Sequence, residues 1–202
     1  TADSSGIEVS DSSTVGGNIV NDGKIVAAGI IAEPSPVVSA YEEGTGIGIK
    51  VYGESAVTAS IINNGEIDAE NYGILVGSAA TVGGNITNGA DATLMAEQHG
   101  ISVYDGSQVT GSIDNAGNID SGDVGILVWG EAEITEDIIN SGDITADYGI
   151  DVHTSTVGGD INNSGTITAT DFSIQIGAGA ELTGDVVNSG TLTGGLYLYG
   201  TD

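Results

Sequence analysis

Residues 149–169 read Gly-Ile-Asp-Val-His-Thr-Ser-Thr-Val-Gly-Gly-Asp-Ile-Asn-Asn-Ser-Gly-Thr-Ile-Thr-Ala. Ile150, Val152, Val157, Ile161 and Ile167 alternate with polar or small residues, the period of two that gives a β-strand one buried face. The same grammar fills the chain. Gly-Ile-x-Val begins at Gly6, Gly73, Gly100, Gly125 and Gly149, with looser copies at Gly48, Ser173 and Gly195. Behind it recurs an asparagine, at Asn21, Asn63, Asn88, Asn115, Asn140, Asn163 and Asn188, with spacings of 42, 25, 27, 25, 23 and 25. The last five spacings average 25 residues.

A repeat of that length reads Gly-Ile-x-Val, a turn, Val-x-Gly-x-Ile-x-Asn, a short link and Gly-x-Ile-x-Ala, which is three β segments. One such unit cannot bury its apolar face alone, whereas coils stacked about 4.8 Å apart bury it continuously and pair every strand above and below. The expected fold is therefore all-β: a right-handed parallel β-solenoid (β-helix) of about eight coils, forming one domain over residues 1–202. The hand follows from the preference of parallel crossovers for right-handed connections. The seven asparagines are expected to stack as an amide ladder at a corner where Asn tolerates left-handed backbone angles, with the following glycines serving the same corner. Residues 29–47, which carry Pro34 and Pro36 and lack the Asn-Gly turn, read either as a degenerate coil or as a projecting loop.

Composition agrees with such a rod. The 202 residues include 34 glycines, one tryptophan, one phenylalanine and no cysteine, so small and β-branched side chains must fill the core. Two lysines against 29 acidic residues leave a formal charge of −27, which repels phosphate backbones and anionic bilayers and excludes nucleic-acid binding. No apolar run reaches the roughly 18–20 residues of a membrane-spanning helix, so no direct membrane insertion is expected. No signal-peptide pattern opens the chain, and secretion would require its prior removal.

Runs such as Asp160-Ile-Asn-Asn-Ser-Gly-Thr-Ile-Thr-Ala and Asp137-Ile-Ile-Asn-Ser-Gly-Asp-Ile-Thr-Ala, each preceded by Gly-Ile-Asp-Val or Gly-Ile-Leu-Val, resemble the passenger repeats of bacterial autotransporter adhesins. The resemblance covers nearly the whole chain and is one of repeat grammar. It implies a secreted protein at the cell surface or outside the cell. The translocating β-barrel and an adhesin tip are not among these residues.

A solenoid turns each repeat position into a longitudinal stripe. One outward row holds Asn18, Ser60, Asn85, Ser112, Asp137, Asp160 and Asp185. Its three stacked carboxylates, Asp137, Asp160 and Asp185, form either a solvated acidic face or a Ca²⁺ site, since oxygen ligands suit that ion. A second row, Tyr52, Gly77, Tyr104, Trp129, His153, Gly177 and Tyr199, is flanked by Tyr72, His99, Tyr148 and Phe172. Its rings, Tyr52, Tyr104, Trp129, His153 and Tyr199, either stack on sugar faces or stack on one another at a corner. A third row carries Val20, Ile62, Ile139 and Val187, a weak lateral contact stripe.

An enzyme is not expected. An arginine-free chain has little with which to hold uronate carboxylates, and no Gly-x-Ser-x-Gly elbow or phosphate loop occurs. His99 and His153 fall in different rows two coils apart, and no catalytic residue or cofactor beyond the Ca²⁺ alternative is assigned. Threonines 166, 168, 191 and 193 do not extend into an ice-binding lattice, because Lys24, Glu66 and Asn118 occupy equivalent places.

No polar or helical cap is visible at either end. End-to-end self-association is therefore expected, Leu196, Tyr197, Leu198 and Tyr199 of one chain meeting Ile7 and Val9 of the next, to give a filament or matrix scaffold. The competing expectations are a monomeric adhesin segment that binds glycans and, last, a polysaccharide-acting enzyme.

Overall fold

The computed structural model describes residues 5–28 and 45–199. The expected parallel β-solenoid is what they form, and no helix occurs among them. Each coil contributes four runs. In the third coil these are Tyr72–Gly77, Thr81–Val82, Ile86–Asn88 and Thr93–Ala96. The second and third runs each stack into a seven-stranded parallel sheet. The first and fourth belong to one twelve-stranded sheet, because later coils fuse a fourth run with the next first run, as in Asp143–His153 and Thr166–Ile176. Among the described residues seven coils contribute all four runs, and Leu196–Leu198 follow in the first-run row of the next.

The sequence suggests three segments per coil where the structure has four. The Val-x-Gly-x-Ile-x-Asn stretch bends in the middle. At Gly158, on that bend, a side chain would overlap the carbonyl oxygen of Thr135 in the coil below. Val157 and Ile161 still both point inward, since the bend preserves their parity.

Register is kept from coil to coil except at shifts between Ala146 and Tyr148 and between Thr168 and Ile174 in the last coils. Ile74 pairs with Ile49 and Ile101, and Ile101 with Ile126. Like residues thus stack on like. The core they enclose is made of Ile, Val, Leu and Ala alone, and Ile61, Ile86, Ile113, Ile138 and Ile161 are fully buried in a single column. Described aromatic side chains lie outside this core, which agrees with an interior too narrow for rings. The segment read as a degenerate coil or loop, 29–47, falls largely at 29–44, outside the described residues. On either side of it the first and second coils pair directly in every sheet, Ile7 with Ile49, Thr14 with Ala56, Asn21 with Asn63 and Ile25 with Ile67.

The asparagine ladder is complete. Each Nδ2 donates to the Oδ1 of the next: Asn21 to Asn63 at 2.7 Å, Asn63 to Asn88 and Asn88 to Asn115 at 2.8 Å, then Asn115, Asn140 and Asn163 to their successors at 2.7 Å. Most rungs also donate to a backbone carbonyl of the next coil, such as Asn115 to Asp143 at 3.2 Å. Six of the seven are buried within the rod, where unpaired amides would be costly.

The left-handed angles expected at these asparagines occur elsewhere. No ladder Asn has positive φ. Positive φ in residues other than glycine is found instead at the corner after the first run, at Asp11, Ser12, Glu54, Ser78, Ala79, Asp105, Glu131 and Thr154. That corner is held by coil-to-coil bonds, Glu54 N to Ser78 O at 2.9 Å, Ala79 N to Asp105 O at 2.9 Å and Glu131 N to Thr154 O at 2.7 Å. The glycine two places after the ladder Asn serves close approach: a side chain on Gly142 or Gly165 would overlap the carbonyl oxygen of the equivalent glycine one coil below.

Candidate functional site

Outward rows differ in what their side chains are free to do. The row proposed for Ca²⁺ is a second ladder. Asn18 Oδ1 accepts from Ser60 N, Ser60 Oγ from Asn85 N, Asn85 Oδ1 from Ser112 N and Ser112 Oγ from Asp137 N, at 2.9–3.3 Å. The carboxylates continue it, Asp137 Oδ1 accepting from Asp160 N at 2.7 Å and Asp160 Oδ1 from Asp185 N at 2.8 Å. Asn, Ser and Asp alternate freely because each supplies one oxygen to a backbone N–H. One oxygen each of Asp137 and Asp160 is thus committed to the backbone. No three His, Asp or Glu side chains converge as a metal shell among the described residues. The carboxylates of Asp137 and Asp160 have a hydrogen-bond role in the row for which the sequence suggests a solvated acidic face or a Ca²⁺ site. Asp160→Asn, which keeps the acceptor, is expected to leave the urea midpoint unchanged, while Asp160→Ala loses about 1 kcal/mol.

The aromatic stripe is continuous where its sequence looks broken. The Tyr104 ring lies over Gly77, where an added side chain would meet its Cε1 at 2.8 Å, and the His153 ring lies over Gly177 in the same way. Small residues in the row are therefore sockets for neighbouring rings. Tyr104 is buried, Tyr52 and Trp129 are partly buried, and Tyr199 is exposed. In the flanking row Tyr72 meets His99 with centroids 5.2 Å apart, Tyr148 meets Phe172 at 6.2 Å, and Phe172 meets Tyr197 at 5.3 Å. Corner stacking accounts for these contacts.

Ile7 and Val9, placed in the expected end contact, point into the first coil, and Val9 is buried. Leu196 and Leu198 occupy the inward rows of Ile174 and Ile176 yet are 52% and 55% exposed, since no described coil covers them. The two lysines both tie the first coil to the second. Lys24 Nζ lies 2.6 Å from Glu66 and 3.9 Å from Asp68, and Lys50 Nζ lies 3.5 Å from Glu8 and 5.0 Å from the Tyr52 ring centre. The hydrogen bond to Glu66 holds the Lys24 ammonium above its usual pKa.

One group of titratable side chains was not legible as a cluster. His99, Asp123, Trp129, Tyr148, Asp151 and His153 border a cavity of about 280 Å³ on the outward face of the fourth to sixth coils, over a floor of Val124 and Leu127. The two histidines, in separate rows, thus share one cavity. His99 is 5% exposed; burial lowers its pKa and keeps it neutral, against the opposing pull of Asp123, whose Oδ2 lies 3.9 Å from Nδ1. Asp151 is pushed up to about 6, first by burial and also by the charge of Asp123, with His153 pulling the other way. His153 Nε2 lies 3.0 Å from Asp151 Oδ1 and 2.7 Å from Gln175 Nε2. In the tautomer whose Nε2 accepts from the Gln175 amide, His153 has no proton for the carboxylate, and Asp151 Oδ1 is then buried without a hydrogen bond.

Comparison of the chain with protein-family models, with curated proteins and with solved structures finds no match.

Proposed function

We propose that this protein is a non-enzymatic extracellular scaffold of the autotransporter-passenger type that assembles end to end. The observation that supports the reading is the coil-on-coil stacking: the sheets pair in parallel from coil to coil, and the asparagine ladder runs from Asn21 to Asn188. A coil of the same repeat on a second copy offers matching strand edges and ladder groups, with Ile7 and Val9 in the rows that Leu196 and Leu198 occupy. A surface of −27 charges opposes association at low salt and less so near 0.15 M, where the Debye length is about 8 Å.

Electron microscopy of the purified chain at 0.15 M salt, in chelator and in calcium at equal ionic strength, tests it. Filaments of rod width are expected in both, and Leu198→Glu should shorten them to single rods. Short rods in all conditions overturn the assembly. The second reading, a monomeric passenger segment that binds glycans, draws on the partly exposed rings of Tyr52 and Trp129, and a glycan array would identify it.

A further inference from the structure

The cavity of the fourth to sixth coils has a chemistry unlike the rest of the rod, and it is independent of how the rod assembles. Two ionisable side chains that border it, His99 at Nδ1 and Asp151 at Oδ1, have atoms buried without a hydrogen bond; the other such atoms among the described residues are the hydroxyls of Ser102, Ser121 and Ser173 and the Gln175 amide oxygen. His99 is more than nine-tenths buried. Both atoms are acceptors, the imidazole because burial keeps it neutral and Nδ1 can carry the lone pair, the carboxylate by nature. Asp123 adds a third acceptor group 3.9 Å from His99 Nδ1.

An acceptor-lined cavity wants a ligand that only donates. Anions are repelled by Asp123, by Asp151 and by the field of the whole chain. A sugar hydroxyl both donates and accepts, and the unpartnered atoms here offer it no donor. A metal ion lacks a converging set of three ligands among the described residues. An ammonium group carries three donors and no acceptor, and Trp129 and Tyr148 supply ring faces that attract a cation. Leu127 and Val124, nearly buried on the floor, suit an aliphatic stem.

We propose that this cavity binds an alkylammonium group, its nitrogen bridging His99 and Asp123 and its stem lying along Leu127 and Trp129, with the Asp151 carboxylate bordering the same cavity. A nitrogen about 2.8 Å from each of two acceptors bridges a 3.9 Å gap between them without strain. The ligand is a primary amine, from either a free diamine or a lysine side chain.

Retention of Asp151 costs the empty protein stability. Its folded pKa, about 6, lies above the unfolded value near 4. The protonated form is therefore favoured by the fold, and the stability it brings below about pH 4 is lost as pH rises through about 6. The groups facing it are His99, Asp123, Tyr148, His153 and Gln175. Asp151→Asn should thus raise the urea midpoint at pH 8 and leave it unchanged at pH 4.

The test is calorimetric titration of the whole chain with 1-aminopentane at pH 7.5 and 0.15 M salt. We expect saturable one-to-one binding at least tenfold tighter than that of 1-pentanol. Asp123→Asn and Asp151→Asn should each weaken it at least tenfold, and Asp91→Asn, an exposed acid outside the cavity, should not. Stronger binding of 1,5-diaminopentane than of Nα-acetyl-lysine amide identifies a free amine, and the reverse identifies a lysine side chain. Equal loss in Asp91→Asn, tighter binding of 1-pentanol or of a methyl pyranoside, or no saturation overturns the proposal. So does an Asp151→Asn variant destabilised at both pH values, which would make Asp151 a structural residue.

Discussion

Replacing Asn115 by alanine is expected to lower the unfolding free energy by about 2–4 kcal/mol, the sum of a lost hydrogen-bonded rung and a small buried cavity. Asn115 stands mid-ladder, 1% exposed. It accepts from Asn88 at 2.8 Å and donates to Asn140 at 2.7 Å and to the Asp143 carbonyl at 3.2 Å. Asn115→Asp should cost more at neutral pH, about 3–5 kcal/mol, because a buried carboxylate accepts but cannot donate onward. A buried carboxyl at this place favours its protonated form, so that extra deficit should shrink as pH falls toward about 4, where an O–H donor returns. Asn188 closes the ladder, is exposed and donates only to the Gly190 carbonyl, at 3.3 Å. Its replacement by alanine should cost less than about 1 kcal/mol. Urea denaturation of the three variants at pH 7 and pH 4 measures all of these, and equal costs at 115 and 188 would contradict the cooperative ladder.

Two glycines of one repeat position should respond oppositely to the same methyl group. Gly142→Ala is expected to lose about 3 kcal/mol, the upper part of the range for overpacking, because the new atom overlaps the Gly117 carbonyl and the Ala116 backbone, neither of which can swing aside. Gly23→Ala meets nothing within 4 Å. With no positive φ to strain, it should be neutral or stabilise by up to about 1 kcal/mol through the unfolded chain. Thermal and urea midpoints of the pair decide the matter. If glycine is required for backbone freedom rather than for close approach, both variants lose stability alike.

Those contrasts show where sequence reading succeeds. The inward rows were legible because burial on one strand face imposes a period of two, and the ladder because only asparagine can accept and donate along the same line. The turn chemistry was misplaced. Left-handed residues such as Glu54, Ala79 and Glu131 have no common identity, since neighbouring coils fix their backbone through hydrogen bonds and leave the side chain unconstrained. The outward ladder was hidden for a related reason: Asn, Ser and Asp offer interchangeable oxygens, so its row looked like an acidic patch where Asp137, Asp160 and Asp185 follow one another. The aromatic stripe looked interrupted at Gly77 and Gly177 because a glycine that seats a neighbour's ring is indistinguishable in sequence from a gap. The cavity was least legible of all. Its residues come from four rows and three coils, and only stacking at strand separation brings His99 and His153 to one space.

The run of every ladder along the rod's axis has a mechanical meaning. Each coil is fastened only to the one above and the one below, by bonds that lie parallel to the axis, as in the pairings of Ile49 with Ile74 and of Ile74 with Ile101. A pull on a chain end therefore loads one coil at a time and not the whole body in shear. The rod behaves as a spool, releasing thread in instalments of one repeat, each about 80–90 Å of extended chain, while the coils still wound keep their full set of rungs.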